Sequence, residues 1–385
     1  MINQNEEIYP WTWINEDYYK SILKKYKDKL KPFSKIKELK NQHYLMRRGI
    51  IFAHKDFEDI RDIINEGKRF VVVTGMMLHE KIHFGHKCVI DQIKWYQEMG
   101  AEIFIALSDI ESWLWGDISI KEAIKNAMNN YLLNYLALGI KPEKCHVYSQ
   151  WARKEVIYLA MGLSKYIDYD KIKDQYSFSH PPNTIGQFFF PLIVTADILH
   201  TQLKKYGGPR PIVVPVGIDQ FGYLNFSIDL IAKYKKQNKK AFYEPSATFH
   251  RLLKGTNGVI MSSTREKNAI FLTESPDSVY NKLMEARTGE EENGKKNPTK
   301  CMLFDMLRFN HEEDKYVRKI FEECIEGRTL CRECKYEIGQ YFANWVKKFQ
   351  EKREDIKDSE KILRFMLNQD ILRETESVME ITERG

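Results

Sequence analysis

The chain has 385 residues, 43% hydrophobic and 30% charged, and its 60 basic and 54 acidic side chains leave a net charge of +6. That length can bury a substantial core in two or three domains, and the composition excludes disordered and collagenous classes. No window approaches about 18 uninterrupted apolar residues and Met1-Ile2-Asn3-Gln4 begins no signal peptide, so no membrane partner is expected and the expected compartment is the cytoplasm.

The chain opens on an aromatic, polar stretch, Tyr9-Pro10-Trp11 and Tyr18-Tyr19, followed by a Lys-rich helix around Ser21 to Leu30 and by Arg47-Arg48-Gly49 through His54-Lys55-Asp56. From Phe70 the pattern alternates apolar runs with amphipathic stretches. Phe70 to Val73, Ile103 to Leu107, His146 to Ser149 and Pro211 to Val216 read as buried parallel strands. Lys87 to Met99 reads as a helix between the first two. This alternation predicts an α/β fold with a Rossmann-like, doubly wound parallel sheet, interrupted by a helical insertion at about 151–206.

After Phe271 the pattern turns helical. Ile338, Phe342, Trp345, Val346 and Phe349 fall on one face and predict a C-terminal α-helical domain. The expected domains are an N-terminal extension over 1–65, the sheet domain over 66–270 and the helical domain over 271–385. The clusters Lys235, Lys236, Lys239, Lys240 and Lys295, Lys296, Lys300 each read as a solvated face. The charge balance permits nucleic-acid binding without demanding it. Six scattered cysteines argue against a disulfide framework, and Cys331-Arg332-Glu333-Cys334 with Cys324 nearby is a weak zinc pattern, so no metal is expected there.

Two short segments carry the chemistry. His83-Phe84-Gly85-His86 follows the strand that ends Thr74-Gly75. A buried strand feeding a helix through a turn aims backbone N–H groups and a positive dipole at one point. Two histidines there can reach phosphate oxygens, and Gly85 lets a flat base lie against the backbone. Met261-Ser262-Ser263-Thr264 supplies hydroxyls on a loop able to close over phosphates. His79-Glu80-Lys81-Ile82-His83 also matches H-E-x-x-H, but zinc ligands of that kind share one helix, whereas these fall in the turn before one.

The pair resembles the HIGH and KMSKS elements of class I aminoacyl-tRNA synthetases, and the surrounding sequence resembles the archaeal type of tryptophanyl-tRNA synthetase from about Tyr9 to the C-terminal helices. The Pro-Trp element and the Arg-Arg to His-Lys-Asp element are similar to that family's N-terminal extension. The resemblance implies that His83, Gly85, His86, Met261, Ser262, Ser263 and Thr264 form the catalytic set. Gly217, Asp219, Gln220, Val259 and Ile260 would face ATP.

Phe190-Pro191-Leu192-Ile193-Val194-Thr195-Ala196-Asp197-Ile198-Leu199 is similar to the family's amino-acid pocket helix, which implies that Asp197 accepts the indole N–H. Asp109 and Glu111 match an Asp-x-Glu segment, the alternative being solvated loop acids, and Gly75 joins them as substrate-binding. Val214-Pro215-Val216-Gly217-Ile218-Asp219-Gln220 matches another family segment, so Asp219 and Gln220 would cap a helix. Tyrosyl enzymes carry glutamine where Val194 stands, which favours tryptophan.

The implied activity is ligation of L-tryptophan to tRNA(Trp) with ATP and Mg2+, in a homodimer whose C-terminal helices bind the anticodon region. The rival readings are a non-catalytic paralogue that binds tryptophan or tRNA, a tyrosyl enzyme and a zinc hydrolase. Four departures lie on the ATP side. Leu78-His79-Glu80 replaces a Pro-Ser-Gly turn, Ile260 and Ser263 replace the two lysines of KMSKS, Ile228 replaces an arginine, and Val73 and Ala106 stand where eukaryotic relatives hold indole-binding tyrosine and glutamine.

Overall fold

The computed structural model describes residues 17–78, 81–116, 118–175, 182–239, 242–290 and 296–357. Its strands are β1 (Lys31–Pro32), β2 (Ile51–Lys55), β3 (Val71–Met77), β4 (Glu102–Ser108), β5 (Cys145–Ser149), β6 (Ile212–Gly217) and β7 (Ser246–His250), in one sheet of order β1-β2-β7-β6-β3-β4-β5. The four strands read from the sequence are β3 to β6, each within a residue or a few of its expected limits. The chain divides into two compact units, Met1–Ala53 with Lys81–Val89 and His250–Lys352, and His54–Glu80 with Ile90–Phe249 and Arg353–Gly385.

In the second unit β3 pairs parallel with β4 on one side and with β6 on the other, and β4 pairs parallel with β5. Val71, Val72, Ile103, Val147 and Val213 are fully buried. β-branched side chains pack well on a sheet covered on both faces, which is why these strands read as unbroken apolar runs. Strand order reverses at β3, and open α/β sheets bind ligands at strand carboxyl ends beside such a switch. Gly75 of β3 and Gly217 of β6 lie toward those ends.

A Cβ at Gly75 would press on the neighbouring strand, 3.0 Å from Ser108 Oγ and 3.5 Å from the Ala106 Cβ. The stretch between β5 and β6 is helical at Lys154–Ser164, Tyr169–Gln175 and Ile185–His200. The last of these is apolar nearly all round and carries Pro191 inside it, with Thr195 Oγ1 donating to the Pro191 carbonyl at 2.8 Å.

In the first unit the long helix Cys331–Lys357 buries Ile338, Phe342, Val346 and Phe349, and the Phe84 ring packs on Phe342 and Trp345 with centroids 5.3 and 5.1 Å apart. The Arg-Arg element is a clamp. Arg47 Nε and Arg48 Nε each reach an Asp314 carboxylate oxygen at 2.7 Å, and the Arg48 Nη1 donates to the carbonyls of Arg308 and His311 at 2.8 and 2.6 Å.

The N-terminal helix spans Asp17–Lys25, earlier than the Ser21 to Leu30 expected, because the chain turns after Lys25 and buries Leu30. Tyr9-Pro10-Trp11 and everything after Lys357 lie outside the described residues.

Candidate active site

The second unit supplies a buried polar cluster. Asp197 sits on the apolar helix Ile185–His200 and is 6% exposed. Tyr148, on β5, donates its hydroxyl to Asp197 Oδ1 at 3.0 Å, and Gln150, just past β5, donates Nε2 to Asp197 Oδ2 at 2.6 Å. Burial pushes the Asp197 carboxyl up to about 7, against the lowering effect of these two donors and with the nearby Asp109 adding to the rise.

With Nε2 committed to the carboxylate, Gln150 Oε1 is left buried with no hydrogen-bond partner. Such an orphaned acceptor costs roughly 1–3 kcal/mol, which a ligand N–H would recover. Sequence reading missed Gln150, since a lone amide forms no motif. Its one signal was position, directly after the carboxyl end of a predicted strand.

Asp109 directly follows the carboxyl end of β4, as expected, and it is buried rather than a solvated loop acid. It is fully buried at the start of the helix Asp109–Trp115, where it accepts from Ser149 Oγ, from Ile110 N–H at 2.9 Å and from Trp151 N–H at 3.3 Å. Burial pushes its carboxyl up to about 6. These bonds tie Asp109 to Ser149 and Trp151, on either side of Gln150, while Glu111 is half-buried on the same helix.

Asp219 and Gln220 are exposed in the 3-10 turn that follows Gly217. Gln220 holds the N-cap position of the helix Phe221–Asn238 without a side-chain capping bond, its Nε2 donating to Asp219 Oδ2 at 3.2 Å instead. Ile228 is buried at 4% exposure, so the arginine expected by resemblance could not be accommodated there without repacking.

The first unit holds both phosphate-type segments. The helix Phe84–Glu98 begins directly after His83. His83 and His86 stack with ring centroids 3.7 Å apart and an interplanar angle of 11°. His83 Nδ1 accepts from the N–H groups of Gly85 and His86 at 3.1 and 3.3 Å, and His86 Nδ1 accepts from His83 N–H at 3.3 Å.

Burial, with His86 adding to it, pushes His83 down to about 2, and burial pushes His86 down to about 4. Both rings are therefore neutral at pH 7, and acceptance at Nδ1 places each proton on Nε2 as an available donor. Gly85 is forced by the first imidazole, since a Cβ there would lie 2.9 Å from His83 Nδ1.

The second segment forms a tight backbone turn. Lys254 and Ile260 pair as an antiparallel bridge, Gly255 N–H donates to Val259 O at 2.7 Å, and Met261 N–H donates to Leu253 O at 2.9 Å. Met261 is buried, whereas Val259 and Ile260 are each 46% exposed. Ser262 Oγ and Thr264 Oγ1 share a hydrogen bond of 2.9 Å, and Ser263 Oγ donates to the Lys81 carbonyl at 3.1 Å.

Ser263 thus joins the loop to the segment that precedes His83. Lys81, which sequence reading did not single out, extends Nζ to Glu266 at 2.9 Å over the Phe271 ring, and Lys282 Nζ lies 5.6 Å from the same ring. His79 and Glu80 lie outside the described residues, and with them the H-E-x-x-H reading.

Residues 65–347 match the model of tRNA synthetases class I (W and Y). The chain belongs to that family. It is 36% identical to the tryptophan–tRNA ligase of Methanocaldococcus jannaschii over 362 residues, covering 91% of this chain and 96% of the relative.

The chain is 33% identical to the tryptophan–tRNA ligase of Methanopyrus kandleri over 338 residues, covering 84% of this chain and 88% of the relative. Among solved structures, the tryptophanyl-tRNA synthetase of Aeropyrum pernix K1 superposes with a TM-score of 0.84 at 32% identity, covering 92% of this chain and 98% of that one. Class I synthetases use ATP, so the phosphate-type segments have a substrate to hold. No described helix is long and apolar enough to cross a membrane.

Proposed function

We infer that the chain is a tryptophan–tRNA ligase, which activates L-tryptophan with ATP and transfers it to the 3′ end of tRNA(Trp). The observation that carries the choice of amino acid is the buried cluster of Asp197, Gln150 and Tyr148, with one orphaned acceptor. An indole presents a flat apolar body and a single N–H donor. Asp197 supplies the charge and Gln150 Oε1 the open valence to receive that donor. A tyrosine phenol would require a partner such as the glutamine that Val194 replaces.

In the activation step the tryptophan carboxylate attacks the α-phosphorus and pyrophosphate leaves, so positioning and charge stabilisation supply the catalysis. The neutral His83 and His86 donate from Nε2 to phosphate oxygens, with Gly85 allowing the turn. The Met261 to Thr264 loop closes over the phosphates, and Ser262, Ser263 and Thr264 exchange their internal hydrogen bonds for phosphate ones. Gly217, Asp219, Gln220, Val259 and Ile260 border the nucleotide, and Gly75, Asp109 and Glu111 border the amino acid.

Ile260 provides no charge to the phosphates, and Lys81, with Lys254 or Lys267, offsets only part of that loss. ATP enters as its Mg2+ complex. Residues 1–65 form the extension, 66–270 the catalytic domain and 271–385 the tRNA-binding domain of a cytoplasmic homodimer. Amino-acid-dependent pyrophosphate exchange across all twenty amino acids tests the assignment. Exchange with tryptophan alone is expected, exchange with tyrosine moves the specificity, and silence with every amino acid leaves a non-catalytic paralogue.

A further inference from the structure

Cys301, Cys324, Cys331 and Cys334 come from three separate segments, yet all four line one cavity of about 30 Å3 in the first unit. They are free thiols, and Cys334 lies within electrostatic range of the other three. A cavity larger than the roughly 10–15 Å3 one water needs means that the four side chains surround open space. Among the described residues no three His, Cys, Asp or Glu side chains converge closely enough to hold a single metal ion. A tetrahedral zinc site therefore does not fit.

Burial pushes the thiols of Cys301, Cys324 and Cys334 up, a cost to the thiolate that nearby hydrogen-bond donors offset in part. Cys301 is the N-cap of the helix Met302–Asn310, and its sulfur is approached by the backbone N–H groups of Leu303, Phe304 and Gly289. Gly289 has no room for a side chain, because a Cβ would collide with the Asn297 carbonyl. Cys331 and Cys334 occupy the first turn of the 27-residue helix Cys331–Lys357, at the positive end of its dipole. Glu290 and Glu323 also line the cavity, as do Lys296 and Lys335, whose ammonium groups are held by the carbonyls of Thr329 and Met284 at 2.6 and 2.7 Å.

We propose that these four cysteines ligate an iron–sulfur cluster, each thiol losing its proton to become a terminal thiolate on iron. All-thiolate sets of four are the ligand sets of two-iron and four-iron clusters. A cluster spreads its ligation points over several irons, which accommodates sulfurs too dispersed for one ion. Backbone N–H groups offset part of its negative charge, while Lys296 and Lys335 balance Glu290 and Glu323 of the same lining. Sequence reading discounted Cys331 and Cys334 as a lone pair, because Cys301 becomes their neighbour only through the fold.

The full-length protein is incubated without oxygen with ferrous and ferric iron and inorganic sulfide, which supply the cluster's valence directly, and then desalted. The expected result is iron and labile sulfide bound in equal amounts with visible charge-transfer absorption. The amount per chain separates a two-iron from a four-iron cluster. Cys324→Ser and Cys334→Ser are each expected to lose it, while Cys88→Ala and Cys145→Ala keep it, with circular dichroism checking each fold. If the serine variants do not fold, the Mössbauer spectrum of the loaded wild-type protein decides between a sulfide-bridged cluster and isolated iron. Uptake of one zinc in place of iron and sulfide, no uptake, isolated iron, or a cluster that survives both serine substitutions would overturn the proposal.

Discussion

Replacing Asp197 by asparagine separates pocket chemistry from stability. The variant keeps the shape of the side chain and removes a buried charge whose pKa, raised by burial to about 7, marks ionisation there as unfavourable to folding. Its thermal stability at pH 8 should therefore equal or exceed that of the wild type. The asparagine amide faces Gln150 with a donor, so Gln150 turns its carbonyl inward and presents Nε2 outward, donor against donor for an indole. Loss of a charge-assisted hydrogen bond costs about 1.5–3 kcal/mol, which weakens tryptophan binding by about 10- to 150-fold.

Calorimetry with L-tryptophan at pH 8 reads that loss directly. In the wild type, affinity should also fall by up to about tenfold per pH unit below pH 7, because a protonated Asp197 must release its proton before it can act as the charged partner. The asparagine variant should show no such slope. A folded Asp197→Asn protein with unchanged affinity would remove Asp197 from the pocket and refute this reasoning.

Ile260→Lys should raise tryptophan-dependent exchange, by tenfold for each ~1.4 kcal/mol of barrier removed, with tryptophan affinity unchanged, since Ile260 is 46% exposed and its replacement buries no charge. No gain, combined with loss of exchange in Lys81→Met, would assign the phosphate charge to Lys81 instead. Both histidines are held neutral by burial, with folded pKa values below the unfolded 6.5, so the protein should lose stability as pH falls below about 6.5 while the unfolded chain takes up protons. Denaturation midpoints measured from pH 8 to pH 4 in the wild type and in a His83→Gln, His86→Gln protein should diverge toward acid, and parallel curves would contradict the buried-neutral assignment. Asp314→Ala strands the buried Arg48 and should cost about 3–5 kcal/mol by urea unfolding.

The parts of the fold that were readable in the sequence are those set by local pattern. β3 to β6 announce themselves because a strand covered on both faces must be apolar throughout, and the helix face Ile338 to Phe349 because its period is that of a helix. β2 and β7 were not read as strands. Ile51-Phe52-Ala53-His54-Lys55 ends on polar residues, and Ser246 to His250 is too short to set a period. The histidine turn was legible as a motif, but the neutrality of its rings was not, since that follows from burial and from each Nδ1 facing a backbone N–H. Asp197 was legible for the same reason that it is costly, a carboxylate in an apolar helix. Gln150 and Cys301 gain their significance only from residues tens of positions away.

The Arg48 clamp also bears on the order in which this protein can be made. Arg48 is 1% exposed, and every acceptor described for its guanidinium belongs to residues 308 to 314, with Asp314 lying 266 positions downstream. On the ribosome the arginine emerges long before any of them exists. The first unit, whose segments come from both ends of the chain, must stay open until synthesis is nearly complete, while most of the second unit has its contiguous sequence from Ile90 to Phe249 in hand earlier. A chain cut short before residue 308 would lack every acceptor described for the Arg48 guanidinium and leave the N-terminal segment unclosed.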